Sequence, residues 1–403
     1  MRGGSLTFMQ VKVLHVITGL NVGGAEAMLA RLLDHERSRG GVRAQVATLM
    51  PQGVVGRQMA ASGVVVHQLG MRGLISAVPA ALRLARLIGK ERPDVVVAWM
   101  HHAQLASTLA VLLAQTRTPV VWNVRHSLGG FEREKWLTRL ILKLQVRISR
   151  MPTAIIYNSR AAAAQYSALG FAPVREHVIP NGLIVPPAQS RTAASETVRS
   201  LFGIPPHAIV IGMIARAHPM KDVGTLLCAF SKVQAAGVAA HLLLVGEGMD
   251  HLDRGEAQLL AALPKGSWTI SGHRTDVGEW LAGIDTLALS SAWGEGFPNI
   301  VGEAMAQGVP CVGTDVGDTG WIIGTTGRTV PPRNPAALAE ALIELARMEP
   351  EERMALGEAA RRRVEEHFTL DHVAVRYGEL YRDVANARTR VADTNHASTC
   401  EAA

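Results

Sequence analysis

A chain of 403 residues is longer than one hydrophobic core ordinarily serves, so two domains are expected. Its 48% hydrophobic and 19% charged residues exclude a disordered chain, and three scattered cysteines (Cys228, Cys311, Cys400) exclude a disulfide framework and a structural zinc site. The formal charge of +7 is lopsided: residues 1–185 hold 22 Lys and Arg against 8 Asp and Glu, and the remainder 19 against 26, so the first half either draws polyanions or presents a solvated basic face.

The first apolar run, 11–17, is interrupted by Lys12 and His15 and has no small-residue cleavage site, so it reads as a buried strand and not as a signal peptide. No stretch reaches the roughly 18 uncharged apolar residues of a membrane span, and a cytoplasmic location in reducing surroundings is expected. A helix over 25–37 follows, then strands over 42–49 and 64–69, a helix over 79–89 and a strand over 94–99. A helix over 102–115, a strand over 119–123, a long helix over 132–149, a strand over 154–157, a helix over 160–169 and a short strand near 178 complete the first alternation. Strands alternating with helices of this length predict βαβ units and parallel sheet.

Asn181-Gly182, then Pro186-Pro187 and small polar residues to 195 break the rhythm and predict the linker between domains 1–183 and 184–368. A second alternation begins with a strand over 209–214 and a helix over 223–235. A strand over 241–245, a helix over 256–263, strands over 268–271 and 286–289, a helix over 300–306, a strand over 310–313 and a helix over 335–348 follow. The stretch 351–381 reads as helical, and the small, polar tail 387–403 as disordered. Two parallel-sheet domains predict a ligand cleft at their strand carboxyl ends.

Three motifs carry chemistry. Gly19-Leu20-Asn21-Val22-Gly23-Gly24-Ala25-Glu26 directly follows the first strand, where glycines let backbone approach a ligand and the next helix offers free N–H groups. A bare tight turn would use the same residues. After the first strand of the second domain, Arg216 and Lys221 stand five apart, two cations able to neutralise a diphosphate leaving group without a metal. In Trp293-Gly294-Glu295-Gly296-Phe297-Pro298-Asn299-Ile300-Val301-Gly302-Glu303, two glutamates stand eight apart, Glu295 on a glycine-rich turn and Glu303 inside a helix. A carboxylate accepts two hydrogen bonds, so Glu303 suits a ribose and Glu295 the hydroxyls of a transferred sugar, with N–H groups of Gly296, Phe297 and Asn299 around Pro298 for the diphosphate.

From residue 11 to about 383, in the right order, these residues resemble the retaining glycosyltransferases of family four, which have the GT-B fold: α/β, two Rossmann-like domains with parallel sheets facing across a cleft. Glu295 and Glu303 match the family's E-x7-E motif, Arg216 and Lys221 its diphosphate pair, and Gly23, Gly24 and Glu26 its G-G-A-E loop. Leu244-Val245-Gly246-Glu247-Gly248 and Ile179-Pro180-Asn181-Gly182 are further landmarks. The resemblance implies that His126 touches the donor sugar near the reacting carbon. It also implies that Glu26, His101, His102 and Arg125 belong to the acceptor side, and that a final helix over about 369–385 returns to the first domain. It implies a hexosyl- or N-acetylhexosaminyltransferase of polysaccharide or cell-envelope synthesis, using a nucleotide sugar, UDP-linked by preference, with no metal and no cofactor. A nucleotide-sugar epimerase of the same fold and a non-catalytic nucleotide-sugar-binding protein are the alternatives. A phosphorylase would need a lysine for pyridoxal phosphate, and no matching signature is present.

Residues 131–150 read as a basic amphipathic helix. Trp136, Leu137, Leu140, Ile141, Leu144 and Ile148 form an apolar stripe, and Arg133, Lys135, Arg139, Lys143, Arg147 and Arg150 a basic one. Such a helix either packs its apolar stripe on the sheet or lies on an anionic membrane on the inner face of the cell, which would favour a glycan or lipid-linked acceptor. Nucleic acid is not expected, because the basic half lacks interleaved aromatics.

Overall fold

The computed structural model describes residues 10–400 except 22, 174, 188–190 and 275, with side chains for all of these but 74, 133 and 388–400. The chain divides into two compact units, Met1–Gly182 with Leu370–Ala403, and Leu183–Thr369.

Unit 1 alternates β1 (Val11–Ile17), α1 (Gly24–Arg39), β2 (Val42–Thr48), α2 (Val54–Ala61), β3 (Val66–Gln68), α3 (Ala77–Glu91), β4 (Val95–Trp99), α4 (Met100–Leu113), β5 (Val120–Val124), α5 (Trp136–Ile148), β6 (Ala154–Tyr157), α6 (Arg160–Ala168) and β7 (Glu176–Val178). The strands form one parallel sheet in the order β3-β2-β1-β4-β5-β6-β7. Every residue of β4 and β5 is buried, as continuous runs of Val and Trp require when helices cover both faces. Leu84, Ala103, Ala110, Leu142 and Tyr166 bring α3, α4, α5 and α6 into one core. Leu29, Leu32 and Leu33 of α1 enter the other. The strand order reverses at β1, and right-handed crossovers then place the helices on opposite faces.

Unit 2 runs through α7 (Arg191–Phe202), β8 (Ile209–Ile214), α8 (Val223–Ala235), β9 (Ala240–Val245), α9 (Arg254–Ala261), β10 (Trp268–Ser271), α10 (Val277–Gly283), β11 (Thr286–Leu289), α11 (Asn299–Ala306), β12 (Cys311–Thr314), α12 (Thr319–Ile323), β13 (Arg328–Val330), α13 (Pro335–Arg347) and α14 (Pro350–His367). Its parallel sheet is ordered β10-β9-β8-β11-β12-β13. The order reverses between β8 and β11, so the loops after these two strands part from a common switch point.

The last helix, α15 (Leu370–Cys400), belongs to unit 1, where Val373, Tyr377 and Tyr381 join the core that holds α1. Its backbone is helical across most of the stretch expected to be disordered. No Gly or Pro follows Gly378, so nothing in the sequence halts the helix. Residues 401–403 of that tail lie outside the described ones. The stretch read as a linker also differs: α7 already begins at Arg191.

Candidate functional site

In unit 2 the two switch-point loops meet. The loop after β8 is tied to the one after β9 by Ala215 N–H to Val245 O (2.9 Å) and Ala217 N–H to Glu247 O (2.8 Å). Gly246 makes this approach feasible: its φ is +144°, and a Cβ there would sit 1.9 Å from the Ala215 carbonyl oxygen. Arg216 stands exposed on this loop. A single 3-10 turn, Pro219–Lys221, then sets Lys221, capped by His218 Nδ1, which accepts from Met220 N–H at 3.1 Å. Asp222, in the left-handed region at φ 48°, caps α8 by accepting from Thr225 N–H and, at 2.8 Å, from Thr225 Oγ1.

The loop after β11 is laced to that turn by Ala292 N–H to Met220 O and Ser290 Oγ–H to Lys221 O, both 2.8 Å. Lys221 Nζ lies 2.5 Å from Glu295 Oε1, and Ser291 Oγ–H donates to the same oxygen at 2.6 Å. The side chains of this ion pair are only 13% and 9% exposed. Thr314 Oγ1–H donates to the Ser291 carbonyl, which fixes Ser291 in turn. Gly317, at φ +63°, lets a third loop pass beneath: a Cβ there would sit 2.4 Å from the Glu295 carbonyl oxygen. Asp318 N–H donates to Gly296 O at 2.8 Å.

Of the other unit 2 residues singled out, Glu303 is half-buried on α11 and Asn299 opens that helix. Pro298 is buried at its N-cap. The Phe297 ring is buried between Trp321 and Phe368 and serves the core, which leaves its backbone as the part that can meet a ligand. Sequence reasoning missed Ser290, Ser291, Thr314 and His218. The signal available was the Ser290-Ser291 pair at the strand end immediately before the Gly-Glu-Gly turn.

In unit 1, Gly23 caps α1 and Glu26 folds back over it, where a Cβ at Gly23 would meet Glu26 Oε2 at 2.3 Å. Gly24 is exposed. His126, half-buried at the carboxyl end of β5, bonds through Nε2 to Glu134 Oε1 at 2.9 Å. Its ring meets that of His101 edge-to-face at 6.0 Å. His101 itself is buried, with Nδ1 on Gln145 Oε1 (2.9 Å) and Nε2 on the Tyr166 hydroxyl (3.0 Å). Burial pushes its pKa down to about 4, so the ring is neutral at physiological pH. Gln145 also donates to Gln104, which donates to the Asn123 carbonyl, so a polar chain of three helices supports His126 from below. His101 is thus a supporting residue, and of the adjacent pair only His102 is exposed.

Arg125 is held by its own unit. Its guanidinium donates to the Tyr377 hydroxyl (3.1 Å) and to Asn181 Oδ1 and lies 5.2 Å over the Trp99 ring. Tyr377 belongs to α15, so Arg125 anchors the returning helix.

On α5 the six apolar residues expected to form one stripe separate into two. Ile141 is buried with Leu142 and Gln145, whereas Trp136, Leu140 and Leu144 are 68%, 56% and 45% exposed. Lys135, Lys143 and Arg147 flank this outer row; the Arg133 side chain lies outside the described ones. No helix among the described residues is long and apolar enough to cross a membrane. Among the same residues, no group of three or more His, Cys, Asp or Glu is placed to hold a metal ion.

Both units match families of known proteins. Residues 23–182 match the family model described as glycosyl transferase 4-like domain, and residues 208–348 the one described as glycosyl transferases group 1. The N-acetyl-alpha-D-glucosaminyl L-malate synthase of Bacillus anthracis is 33% identical over 186 residues, which is 45% of this chain and 48%, about half, of that protein. The MMP alpha-(1->4)-mannosyltransferase of Mycolicibacterium hassiacum is 25% identical over 319 residues, 75% of this chain and 74% of that one. Among solved structures, Anabaena HepE in complex with UDP superimposes with a TM-score of 0.81 at 19% identity, over 93% of this chain and all of the other.

Proposed function

The chain belongs to the family-four glycosyltransferases of GT-B fold, and from that premise we propose that it retains anomeric configuration and draws a hexose or N-acetylhexosamine from a UDP-sugar without a metal. The observation that carries this reading is the cluster at the unit 2 switch point: Lys221 and Ser291 both bonded to Oε1 of Glu295, with Arg216 exposed on the loop that carries Lys221. Two cations suit the two phosphates of a nucleotide sugar, and the α11 N-terminus with the backbone of Gly296 and Asn299 adds N–H donors. Both protein contacts of the Glu295 carboxylate fall on Oε1, which leaves Oε2 for a sugar hydroxyl. Glu303 on the same helix is proposed to hold the ribose, and His126 to contact the transferred sugar.

In the proposed reaction the bond from the anomeric carbon to the β-phosphate oxygen breaks as the acceptor hydroxyl oxygen bonds to that carbon on the same face. The hydroxyl proton passes to the departing phosphate, leaving a nucleoside diphosphate and a glycoside. The protein supplies position and charge, and no carboxylate becomes glycosylated, unlike retaining glycosidases. Alanine at Arg216 or Lys221 is expected to lower kcat by roughly 10²–10³, as loss of a comparable preorganised contact does. Full turnover in both variants would refute the assignment.

The proposed acceptor is a glycan or lipid-linked saccharide of the cell envelope. The outer row of α5 supports a cytoplasmic enzyme seated peripherally on the membrane: Trp136, Leu140 and Leu144 lie on one helix line, bordered by cations. Flotation with anionic vesicles tests this. Binding that salt and Trp136→Ala both weaken is expected, and no binding would favour a soluble acceptor.

A further inference from the structure

At the amino-terminal edge of the unit 1 sheet, opposite the end that carries His126, lies a cleft of about 880 Å³ that the donor chemistry does not use. It opens where α3 and α4 end and β5 begins, over a floor of Val111, Pro119 and Val384. Arg92, Arg117 and Arg175 line it, all three exposed, and among the described residues no carboxylate does. The carboxylates nearest Arg92 in sequence are engaged elsewhere. Glu91 accepts from Gln45 Nε2 at 3.2 Å, and Asp94 accepts from Lys12 N–H at 2.8 Å.

The backbone gives a second, independent indication. Among the described residues six non-glycines have positive φ, and three of them line this cleft: Arg92 (45°), Gln115 (51°) and Arg175 (38°). Glycine is the inexpensive occupant of this region, because a Cβ there crowds the backbone. Arg92 and Gln115 close helices, their N–H groups bonding to Ile88 O (3.0 Å) and Leu112 O (3.1 Å), at positions where glycine is customary. The turns need only backbone, yet each position carries a long polar side chain that lines the cleft. Thr116, on the same wall, has a buried hydroxyl oxygen with no hydrogen-bond partner.

We propose that this cleft binds a phosphorylated anion, with the guanidinium groups of Arg92, Arg117 and Arg175 on the phosphate oxygens and the apolar floor against the remainder of the ligand. A guanidinium matches phosphate geometry in a bidentate fashion, and three of them around one cavity, with no carboxylate among its described lining residues, leave a local charge that a phosphate or diphosphate balances. The phosphate can belong to a soluble phosphorylated compound or to a lipid headgroup. Leu112, at the rim and 58% exposed, offers apolar contact to either.

The test uses the full chain carrying Arg216→Ala and Lys221→Ala, so that the donor loop no longer binds phosphate. Calorimetric titration with inorganic pyrophosphate is expected to show binding that weakens at least tenfold on adding Arg117→Ala, or Arg92→Gly with Arg175→Gly. The glycine pair relieves left-handed backbone, so it is expected to melt at or above its parent while losing the ligand. A merely structural role for these arginines would lower the melting temperature instead. Flotation on phosphatidylglycerol-containing vesicles separates the sources: loss of vesicle binding in the same variants, with no pyrophosphate binding in the parent, assigns the phosphate to a lipid. If neither pyrophosphate nor vesicle binding depends on these arginines, or if the glycine pair lowers the melting temperature, the proposal is overturned.

Discussion

Lys221→Met removes one half of an ion pair that stands at 2.5 Å with its side chains 13% and 9% exposed. Removing one partner of a fully buried pair costs about 3–5 kcal/mol, because the remaining charge is left without compensation. Here the residual exposure admits some water, and Ser291 continues to donate to Glu295 Oε1, so the lower part of that range, about 2–3 kcal/mol, is expected. For a unit of this size that corresponds to a fall of roughly 5–10 °C in melting temperature. Glu295→Met alone strands the ammonium and should cost at least as much. The double variant Lys221→Met/Glu295→Met replaces the pair by apolar atoms of similar length and is expected to return to within about 1 kcal/mol of the parent, as such replacements commonly do. Thermal melts followed by circular dichroism read all three. Single variants that melt within a degree of the parent would show that the pair is screened like a surface bridge, and the claim of a built, preorganised site would fail.

Gly246→Ala is expected to cost more than about 2 kcal/mol and to displace the loop bearing Arg216, since its Cβ would meet the Ala215 carbonyl oxygen at 1.9 Å; chemical denaturation measures it. Tyr377→Phe removes the hydroxyl that accepts from Arg125 and Asn123, and a loss of about 1–3 kcal/mol with faster hydrogen exchange in α15 is expected. Burial raises the Glu36 pKa to about 8 and lowers that of His15 to about 3, both without a charge partner to offset it. Glu36 therefore withdraws stability as pH rises from about 4.5 to 8, where the unfolded carboxyl ionises before the folded one. His15 withdraws it as pH falls from about 6.5 toward 3. The two slopes offset each other between about pH 4.5 and 6.5, so stability should be greatest in that mildly acidic window and fall from there toward pH 8, and Glu36→Gln should flatten that fall; an unchanged slope above pH 6.5 in urea titrations would contradict this.

The alternation of apolar runs and helical periods made both parallel sheets legible, because β4, β8 and β9 are almost uninterrupted apolar segments. Short elements escaped: α2, α10, α12 and β13 have too few residues for a period to emerge. The loop motifs located Lys221 and Glu295, but not that they meet, since that contact spans 74 residues and depends on the strand order at the switch point. The inward hydrogen bonds of His101 and Arg125 were out of view for the same reason. Polar residues after a strand face a ligand or turn inward according to partners supplied from far along the chain, here Gln145, Tyr166 and Tyr377. The amphipathic character of 131–150 was readable, but which apolar residues stay exposed was not, because the packing of Ile141 and Leu142 on the sheet fixes the helix rotation.

The most direct measurement is a thermal-shift comparison of the parent and the Arg216→Ala/Lys221→Ala variant against UDP-, GDP-, ADP- and TDP-sugars, with EDTA present throughout. A ligand that binds only the native state raises Tm by mass action. The account predicts a clear rise with a UDP-sugar in EDTA for the parent and none for the variant. Equal shifts in both proteins, or a shift that appears only when a divalent metal replaces EDTA, would contradict a metal-independent donor site built on those two cations.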